Sequence, residues 1–399
     1  MKESPTLFNL SKTVSYIGIT GYGGPAILAQ MKKRLVHQKK WVSENDFMNT
    51  LSLAQILPGA TGVTLLGYFG YRIKGIFGWI LSSGLFVLPA FLLTTILAQL
   101  YFQYGNLAII QKLFTGLGAL VVGLLINAIL QLGKPVFGKI SAKDYKGVLI
   151  TLITFSLSIF TSINTIYIIL LAGLLGVLFY FFSKEFEGVQ KSKQESVSSP
   201  VNQRFIHKDI IILFTLLTVA GGILWFTQSI FWQLAATFFQ IGIFAFGGGF
   251  ATIPLIQNII VNQHHWLTLS QFRDGIAIGQ ITPGPVFITA AFIGYKVAGW
   301  FGALFSAVAI FLPSLLLVIL LGRFHEQIKH LKIVQVAVRG ILAGFIGIIA
   351  SVALQFGEKS LINWQTWLIF LGTLFLIVRL KKDVIWAILG TVILSLLIL

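Results

Sequence analysis

Leu57-Pro58-Gly59-Ala60, preceded by Gln55 and embedded in apolar sequence, has a counterpart 225 positions later in Thr282-Pro283-Gly284-Pro285, preceded by Gln280. Upstream of each lies a second interruption, Gly21-Tyr22-Gly23-Gly24-Pro25 in one case and Phe246-Gly247-Gly248-Gly249 in the other. At offsets of 224 or 225 the correspondence runs outward: Trp41 falls on Trp266, Phe47 on Phe272, Tyr71 and Arg72 on Tyr295 and Lys296, Gly75 on Gly299, Pro89 on Pro313, Gln111 on Gln335 and Gly116 on Gly340. Matched glycines say little in a chain with 40 of them. Tryptophan and proline occur only 9 and 10 times, so their coincidence points to two copies of one unit.

The 399 residues are 56% apolar and 10% charged, with a mean hydropathy of +0.89, which leaves too little polar surface to cover a water-soluble globule. Leu85 to Gln99, Tyr167 to Phe182, Ile210 to Thr227 and Ala303 to Leu321 approach or reach the roughly 20 apolar residues with which a helix crosses a bilayer. Strand-type alternation is absent, so the expected fold class is an all-α polytopic membrane protein rather than a barrel. The net charge of +17 is spread between apolar segments, not gathered on one aromatic-studded face. That pattern fits topology signals and anionic lipid headgroups, and argues against nucleic acid as a partner. Cysteine is absent, which excludes disulfides, thiolate metal sites and cysteine catalysis. Met1 to Lys12 is polar and carries no small-residue cleavage site, so no removable signal peptide is expected.

Loop charges set the orientation of the copies. Lys32, Lys33, Arg34, Lys39 and Lys40 follow the first glycine break, whereas Gln257 to Ser270 has no Lys or Arg. Gln103 to Asn106 is uncharged where the second copy carries Arg323, Lys329 and Lys332. Lys134, Lys139, Lys143 and Lys146 oppose a lone Lys359, and uncharged Thr161 to Asn164 opposes Arg379, Lys381 and Lys382. Because cytoplasmic loops collect Lys and Arg, four successive reversals imply inverted-topology repeats, the plan of many secondary transporters. The expected organisation is a first repeat over 1–183, a polar cytoplasmic linker over 184–208, a connecting transmembrane helix over 209–229 and a second, inverted repeat over 230–399.

Arg72 and Lys74 call for the same side as Lys32 to Lys40, so the segment from about Phe47 to Gly70 is expected to enter and leave by one face as a re-entrant hairpin. The segment from about Phe8 to Val36 is read as a second hairpin; if it spans instead, Asp209 to Thr227 cannot cross. Broken helices at bilayer depth survive only where the backbone lines a cavity or packs in protein. A helix beginning after such a break aims free amides and a positive dipole end at the cavity, which suits an anion. Gly23, Gly24, Pro25, Pro58, Gly59, Gly247, Gly248, Gly249, Pro283, Gly284 and Pro285 are therefore the candidate anion cradle, with Gln55 and Gln280 as amide donors. The competing reading is that these small residues only let helices pack closely. Dipole ends contribute only about 0.3–1 kcal/mol each, about 2 when partly buried. Dehydrating a dianion then demands cationic side chains or retained water, and Arg72, Lys296 and Arg339 are the candidates, with snorkelling to headgroups as their alternative role. Asp274 is expected near a segment end and Asp46, Asp144 and Asp209 in loops, so a carboxylate relay inside the membrane is unsupported. His264 and His265 are adjacent, without metal-ligand spacing, and neither a metal nor another cofactor is expected.

The stretch Phe246-Gly247-Gly248-Gly249 through Pro254 and Trp266, then Asp274 to Pro285, Phe292-Ile-Gly-Tyr295, Gly299 and Phe311-Leu-Pro-Ser314, closely resembles the chromate ion transporter family in its long two-domain form. The first half resembles the family's other repeat through Gly23-Gly24-Pro25, Trp41, Leu57-Pro58-Gly59 and Gly70-Tyr71-Arg72. Gly21-Tyr22 stands where the family usually has a phenylalanine before the glycines, and Ala60 replaces the second proline of Pro-Gly-Pro. The resemblance implies efflux of chromate across the plasma membrane, with sulfate as the similar tetrahedral dianion.

The residues thus point to a secondary transporter of an oxyanion, with the lipid bilayer as its partner and a homo-oligomer left open. No glycine loop ending in Lys-Ser or Lys-Thr offers direct nucleotide drive. Transport of sulfate or another oxyanion is the nearest alternative. An intramembrane enzyme acting on lipid-linked substrates is the more distant one, since the apolar segments hold neither paired carboxylates nor a nucleophile with its base, and no enzymatic activity is expected.

Overall fold

A computed structural model describes residues 5–22, 24–138, 145–181, 229–321 and 331–399, with the isolated positions 215, 218, 221 and 222. Gly23, the expected linker over 184–208, nearly all of the expected crossing over 209–229, Arg323 and Lys329 lie outside the described residues. In chain order the helices are α1 (Leu7–Thr20), α2 (Gly24–Lys32, continued by a π-helical turn Lys33–Gln38), α3 (Glu44–Ile56), α4 (Thr61–Tyr104), α5 (Ala108–Phe137), α6 (Tyr145–Phe160) and α7 (Thr165–Tyr180). They continue as α8 (Ile230–Ile243), α9 (Gly249–Gln257, continued by a π turn Asn258–Gln263), α10 (Leu269–Ile281), α11 (Thr289–Leu321), α12 (Lys332–Ser360), α13 (Trp364–Leu374) and α14 (Val384–Ile398). Among the described residues every regular element is helical.

Local chemistry fixes the starts. Thr6 Oγ1 accepts the Asn9 amide at 3.2 Å to cap α1, and Ser43 Oγ accepts the Asp46 amide at 3.0 Å to cap α3. Glu44 and Asp46 occupy the first turn of α3, where their charge complements the helix dipole. Asp46 was expected in a loop; the serine cap draws it into the helix.

The chain packs as two compact units, each taking segments from both sequence copies: residues 1–99, 194–243 and 282–323 form unit 1, and 100–193, 244–281 and 324–399 form unit 2. In unit 1 the long helices α4 and α11 are each folded back on themselves. Lys74 (φ −137°, ψ 21°) and Gly75 (φ 61°, ψ −150°) break α4, and Ala298 (φ −148°, ψ 32°) and Gly299 (φ 62°, ψ −151°) break α11 with nearly the same angles. The arms touch backbone to backbone: a Cβ on Gly70 would lie 2.2 Å from the Gly78 carbonyl oxygen, and one on Gly294 would lie 2.2 Å from that of Gly302. Only glycine permits such an approach.

The arm over 61–73 pairs with α3 to make the expected hairpin. Phe47 and Phe69 stack at 5.9 Å, and Arg72 reaches Asp46 at 3.4 Å, so the two ends of the hairpin meet. Each arm has 13 residues and rises roughly 20 Å, short of the roughly 30 Å hydrocarbon core. α1 and α2 pair in the same sense: Arg34 lies 3.4 Å from the centre of the Tyr16 ring, and Gln30 donates to Thr20. Both segments read as hairpins in the sequence therefore double back.

Among the described residues, four segments are long and apolar enough to cross a membrane: Thr61–Tyr104, Ala108–Lys134, Val286–Leu320 and Lys332–Ser360. The arms of α4 over 76–104 and of α11 over 300–321 still rise about 44 and 33 Å at 1.5 Å per residue. Phe8, Phe77 and Phe160 are 76%, 74% and 80% exposed, a cost in water that lipid removes. The chain is a multi-pass membrane protein.

Unit 2 is centred on α5, α6, α7 and α12, where Val136, Ile150, Ala172, Tyr180, Val336, Ala343 and Ile346 form a buried apolar cluster. Small residues let these helices close: Gly176 meets Gly340 at the backbone, and Thr151 and Thr154 donate across to the Ala343 and Gly344 carbonyls at 2.9 and 3.1 Å. The duplication is visible in backbone detail as well. The π turns after α2 and α9 are each followed by a left-handed residue, Lys40 or His265, both at φ 54°, and then by a tryptophan whose amide donates back at 2.9 Å, Trp41 to Leu35 and Trp266 to Ile260.

Candidate functional site

Three of the four breaks belong to unit 1, and two of them join directly. The Gly284 amide donates to the Gly21 carbonyl at 2.8 Å, tying the Pro-Gly turn of the second copy to the glycine break of the first. Gly24 opens α2 and Pro25 follows it, while Gly23 lies outside the described residues. Gly59 and Gly284 have φ of +114° and +121°, which side-chain-bearing residues avoid. Both are also pressed against the opposite copy: a Cβ on Gly59 would stand 2.3 Å from Ser314 Cβ, and one on Gly284 would stand 2.9 Å from Ala90 Cβ. Ala90 and Ser314 follow the equivalent Pro89 and Pro313, so the two contacts are reciprocal. A second reciprocal pair sets Gly18 against the Phe86 carbonyl and Gly242 against that of Ile310, 2.6 and 2.5 Å from an added Cβ.

Neutral groups surround the junction. Thr94 donates to Thr282 at 3.2 Å between buried hydroxyls, and the Gln30 amide, bonded to Thr20, lies beside Gly21. Pro58, Pro283 and Pro285 contribute no amide hydrogen, so the turns strand fewer donors. α4 starts at Thr61 directly after the Pro58-Gly59 turn, and its first amides, ahead of the Thr64 bond to Ala60 at 3.0 Å, face out of the helix end. In the second copy a short 3₁₀ turn, Val286–Ile288, intervenes before α11. Such ends attract anions weakly and without a formal charge.

The fourth break belongs to unit 2. Gly247 and Gly248 have φ of +80° and +90°, and α9 starts at Gly249. A Cβ on Gly247 would approach Leu342 at 3.0 Å, whereas one on Gly248 would meet nothing within 4 Å.

Within unit 1 the two candidate cations sit at the far ends of their arms from the Pro-Gly turns. Arg72 is at the open end of its hairpin, paired with Asp46, about eleven residues or 17 Å of helix from Thr61. Lys296 is exposed at the corresponding end of its arm. Arg339, on α12 of unit 2, donates to the Val136 carbonyl at 3.1 Å near the end of α5 and packs 4.6 Å from the Tyr180 ring centre. It satisfies a late helix carbonyl, a structural duty. Of the two amides, Gln55 is exposed, whereas Gln280 is 9% exposed and its Nε2 finds no partner in the protein.

One group escaped the sequence reading. Asp274, expected near a segment end without a buried role, is 5% exposed inside α10. Arg273 Nε and Nη2 donate to its Oδ1 at 3.1 and 3.0 Å, and the Tyr101 hydroxyl donates to Oδ2 at 2.8 Å. Arg273 also donates to Ser360 at 3.0 Å and Ser270 at 3.2 Å, and its guanidinium lies where a Cβ on Gly118 would come within 2.9 Å. α5 and α12 close over the pair, burying a carboxylate that looks terminal along the chain. The available signal was Arg273-Asp274 running straight into the apolar Gly275-Ile276-Ala277-Ile278-Gly279.

A family model described as chromate transporter matches residues 8–177 and 232–396, which together take in both copies and leave out the segment between them. The chain belongs to the chromate transporter family. Similar members include a chromate transport protein of Cupriavidus metallidurans, 32% identical over 387 residues covering 95% of this chain and 90% of that one. A probable chromate transport protein of Synechococcus elongatus is 33% identical over 392 residues, 96% and 95% of the two chains. An uncharacterized transporter of Methanocaldococcus jannaschii is 29% identical over 400 residues, 100% of this chain and 96% of its own. No solved structure matches. For this transporter family member the long two-domain form follows from matches spanning nearly the whole chain.

Proposed function

We propose that this chain is a secondary transporter that exports chromate across the plasma membrane, with its two copies inserted upside down relative to each other. The observation that carries the proposal is the Gly284 to Gly21 backbone bond at 2.8 Å, which brings interruptions from different copies to one place. The reciprocal contacts of Gly59 with Ser314 and of Gly284 with Ala90 are what a two-fold relation between copies would produce, and the opposite loop charges supply its direction. Family membership and relatives named as chromate transport proteins supply the substrate class.

On this reading the oxyanion meets backbone amides, helix ends and neutral side chains at the breaks of unit 1 and keeps part of its water, because Arg72 and Lys296 stand a helix length from those turns. Arg72 and Lys296 then act at the mouths, raising the local concentration of anion rather than binding it dry. A membrane potential negative inside drives an anion outward without nucleotide. Labelled chromate supplied to everted vesicles should accumulate above empty-vector vesicles, and excess sulfate should compete. No accumulation overturns the assignment; accumulation of sulfate alone transfers it to the sulfate reading, which the shared tetrahedral dianion favours as runner-up.

A further inference from the structure

The last two helices of unit 2 leave a groove of about 690 Å³ between them. Trp364, Trp367, Leu371, Gly372 and Phe375, from α13 and the π turn Phe375–Arg379 that continues it, form one side, and Leu394 of α14 the other. Gly372 deepens the groove, since a Cβ there would meet nothing within 4 Å. The volume falls within the roughly 300–1,000 Å³ of ligand sites. From Phe375 back to Trp364 the helix rises about 17 Å, a little over half of the roughly 30 Å hydrocarbon core. The groove therefore has the length of one leaflet's acyl chain. At the Phe375 end the chain turns through Arg379, Leu380, Lys381, Lys382 and Asp383, all exposed. The turn is pinned: the Leu380 amide donates to the Phe375 carbonyl and the Lys382 amide to that of Leu376, both at 3.0 Å, and Lys381 holds φ 51°. Three cations against one carboxylate leave two net positive charges at this end, whereas Glu358 and Lys359 cancel in the stretch that enters α13.

We propose that this groove binds one anionic phospholipid of the cytoplasmic leaflet, with an acyl chain lying over Gly372 and the phosphate among Arg379, Lys381 and Lys382. The inference goes beyond the transport reading and stands whichever oxyanion is carried. A topology signal needs positive charge in the loop, but it does not need an apolar groove one leaflet deep that ends on that charge. Groove and charge together match the two parts of one molecule, since basic pockets between helices on the cytoplasmic side take anionic headgroups. A chain seated between two helices also gains dispersion contacts on more than one side, which a flat helix face does not supply. A second copy of this chain answers the charge less well, because it brings 29 Lys and Arg against 12 acids.

Trp367 lies eight residues, about 12 Å of helix rise, from Phe375, level with the middle of such an acyl chain. Bromine on mid-chain carbons quenches a tryptophan that it touches, so full-length chains with and without Trp367→Phe, compared in vesicles, isolate the Trp367 signal by difference. In phosphatidylcholine vesicles, a small fixed fraction of brominated phosphatidylglycerol should quench that signal more than the same fraction of brominated phosphatidylcholine. Arg379→Gln and Lys382→Gln, both at exposed positions, should each lower the preference about fivefold, the factor expected for one Lys or Arg at an anionic lipid surface. Gly372→Leu puts a side chain into the open groove, so it should leave the thermal transition in micelles unchanged and remove the preference. Equal quenching by the two lipids, a preference untouched by the double Arg379→Gln and Lys382→Gln change, or one that survives Gly372→Leu would each overturn the site. Quenching by neither lipid, with the chain cross-linking as a dimer through this face, would overturn it in favour of a second copy. Chromate uptake does not enter the readout, so loss of the lipid preference leaves the transport reading standing, and absence of uptake leaves the lipid site standing.

Discussion

Replacing Gly59 by alanine tests the tightest point of the junction. At φ +114° a Cβ imposes backbone strain of about 1–3 kcal/mol. The added carbon also lands 2.3 Å from Ser314 Cβ and 2.6 Å from its Oγ, an overpacking that costs about a further 1–3 kcal/mol after relaxation. Gly59→Ala should therefore destabilise the fold by about 2–6 kcal/mol. Ser314→Gly removes the obstructing atoms at a cost of about 1 kcal/mol for glycine in a helix, and it also loses the hydroxyl bond to Phe311 at 3.0 Å. The double variant keeps the strain and sheds the clash, so it should be more stable than the sum of the single effects by about 1–3 kcal/mol. Unfolding free energies in mixed micelles give all four corners of the cycle, and vesicle uptake of chromate reports whether the junction still works. A Gly59→Ala protein within about 0.5 kcal/mol of wild type, or strict additivity with Ser314→Gly, would show that the turn does not press on the opposite copy as described.

Asp274→Ala should cost about 3–5 kcal/mol by leaving Arg273 buried and unpaired, whereas replacing both residues with apolar ones should recover most of that in the same micelle assay. Arg72→Ala, at the hairpin mouth, should raise the KM for chromate and flatten its dependence on ionic strength while leaving the maximal rate nearly unchanged, read from uptake at several salt concentrations. His264, stacked on Trp266 at 4.3 Å, has its pKa lowered by partial burial, so the folded state favours the neutral ring. Its contribution is complete above the unfolded value of about 6.5 and is lost as the pH falls from there toward the folded pKa; a His264→Gln chain should show a flatter stability profile between those limits.

Features tied to scarce residues or to chain-local rules were readable in the sequence. Pro58, Pro283 and the paired tryptophans marked the copies, and the sides demanded by Lys32 to Lys40 and Arg72 implied a hairpin whose ends the Asp46–Arg72 contact now joins. Features set by packing were not. Gly75 and Gly299 match between the copies, but that α4 and α11 reverse there is not legible, because the cue is a backbone angle and not a residue type. Asp274 looked terminal because its burial comes from α5 and α12, remote in sequence. The distance of Arg72 from its turn was not legible either, because sequence separation hides the rise of the intervening helix: eleven residues keep Arg72 in the same segment yet about 17 Å away. The two compact units also mix the copies, which a division by sequence halves does not anticipate.

The claim on which the rest depends is that the copies lie upside down relative to each other, so that a break of one meets the crossing helix of the other. Single-thiol chains made by Lys33→Cys and by Gln263→Cys, in the corresponding π turns of the two copies, decide it with an impermeant maleimide applied to right-side-out and everted vesicles. The account predicts that the Lys33→Cys chain is labelled only from the cytoplasmic face and the Gln263→Cys chain only from the opposite face. Labelling of both from one face would contradict it.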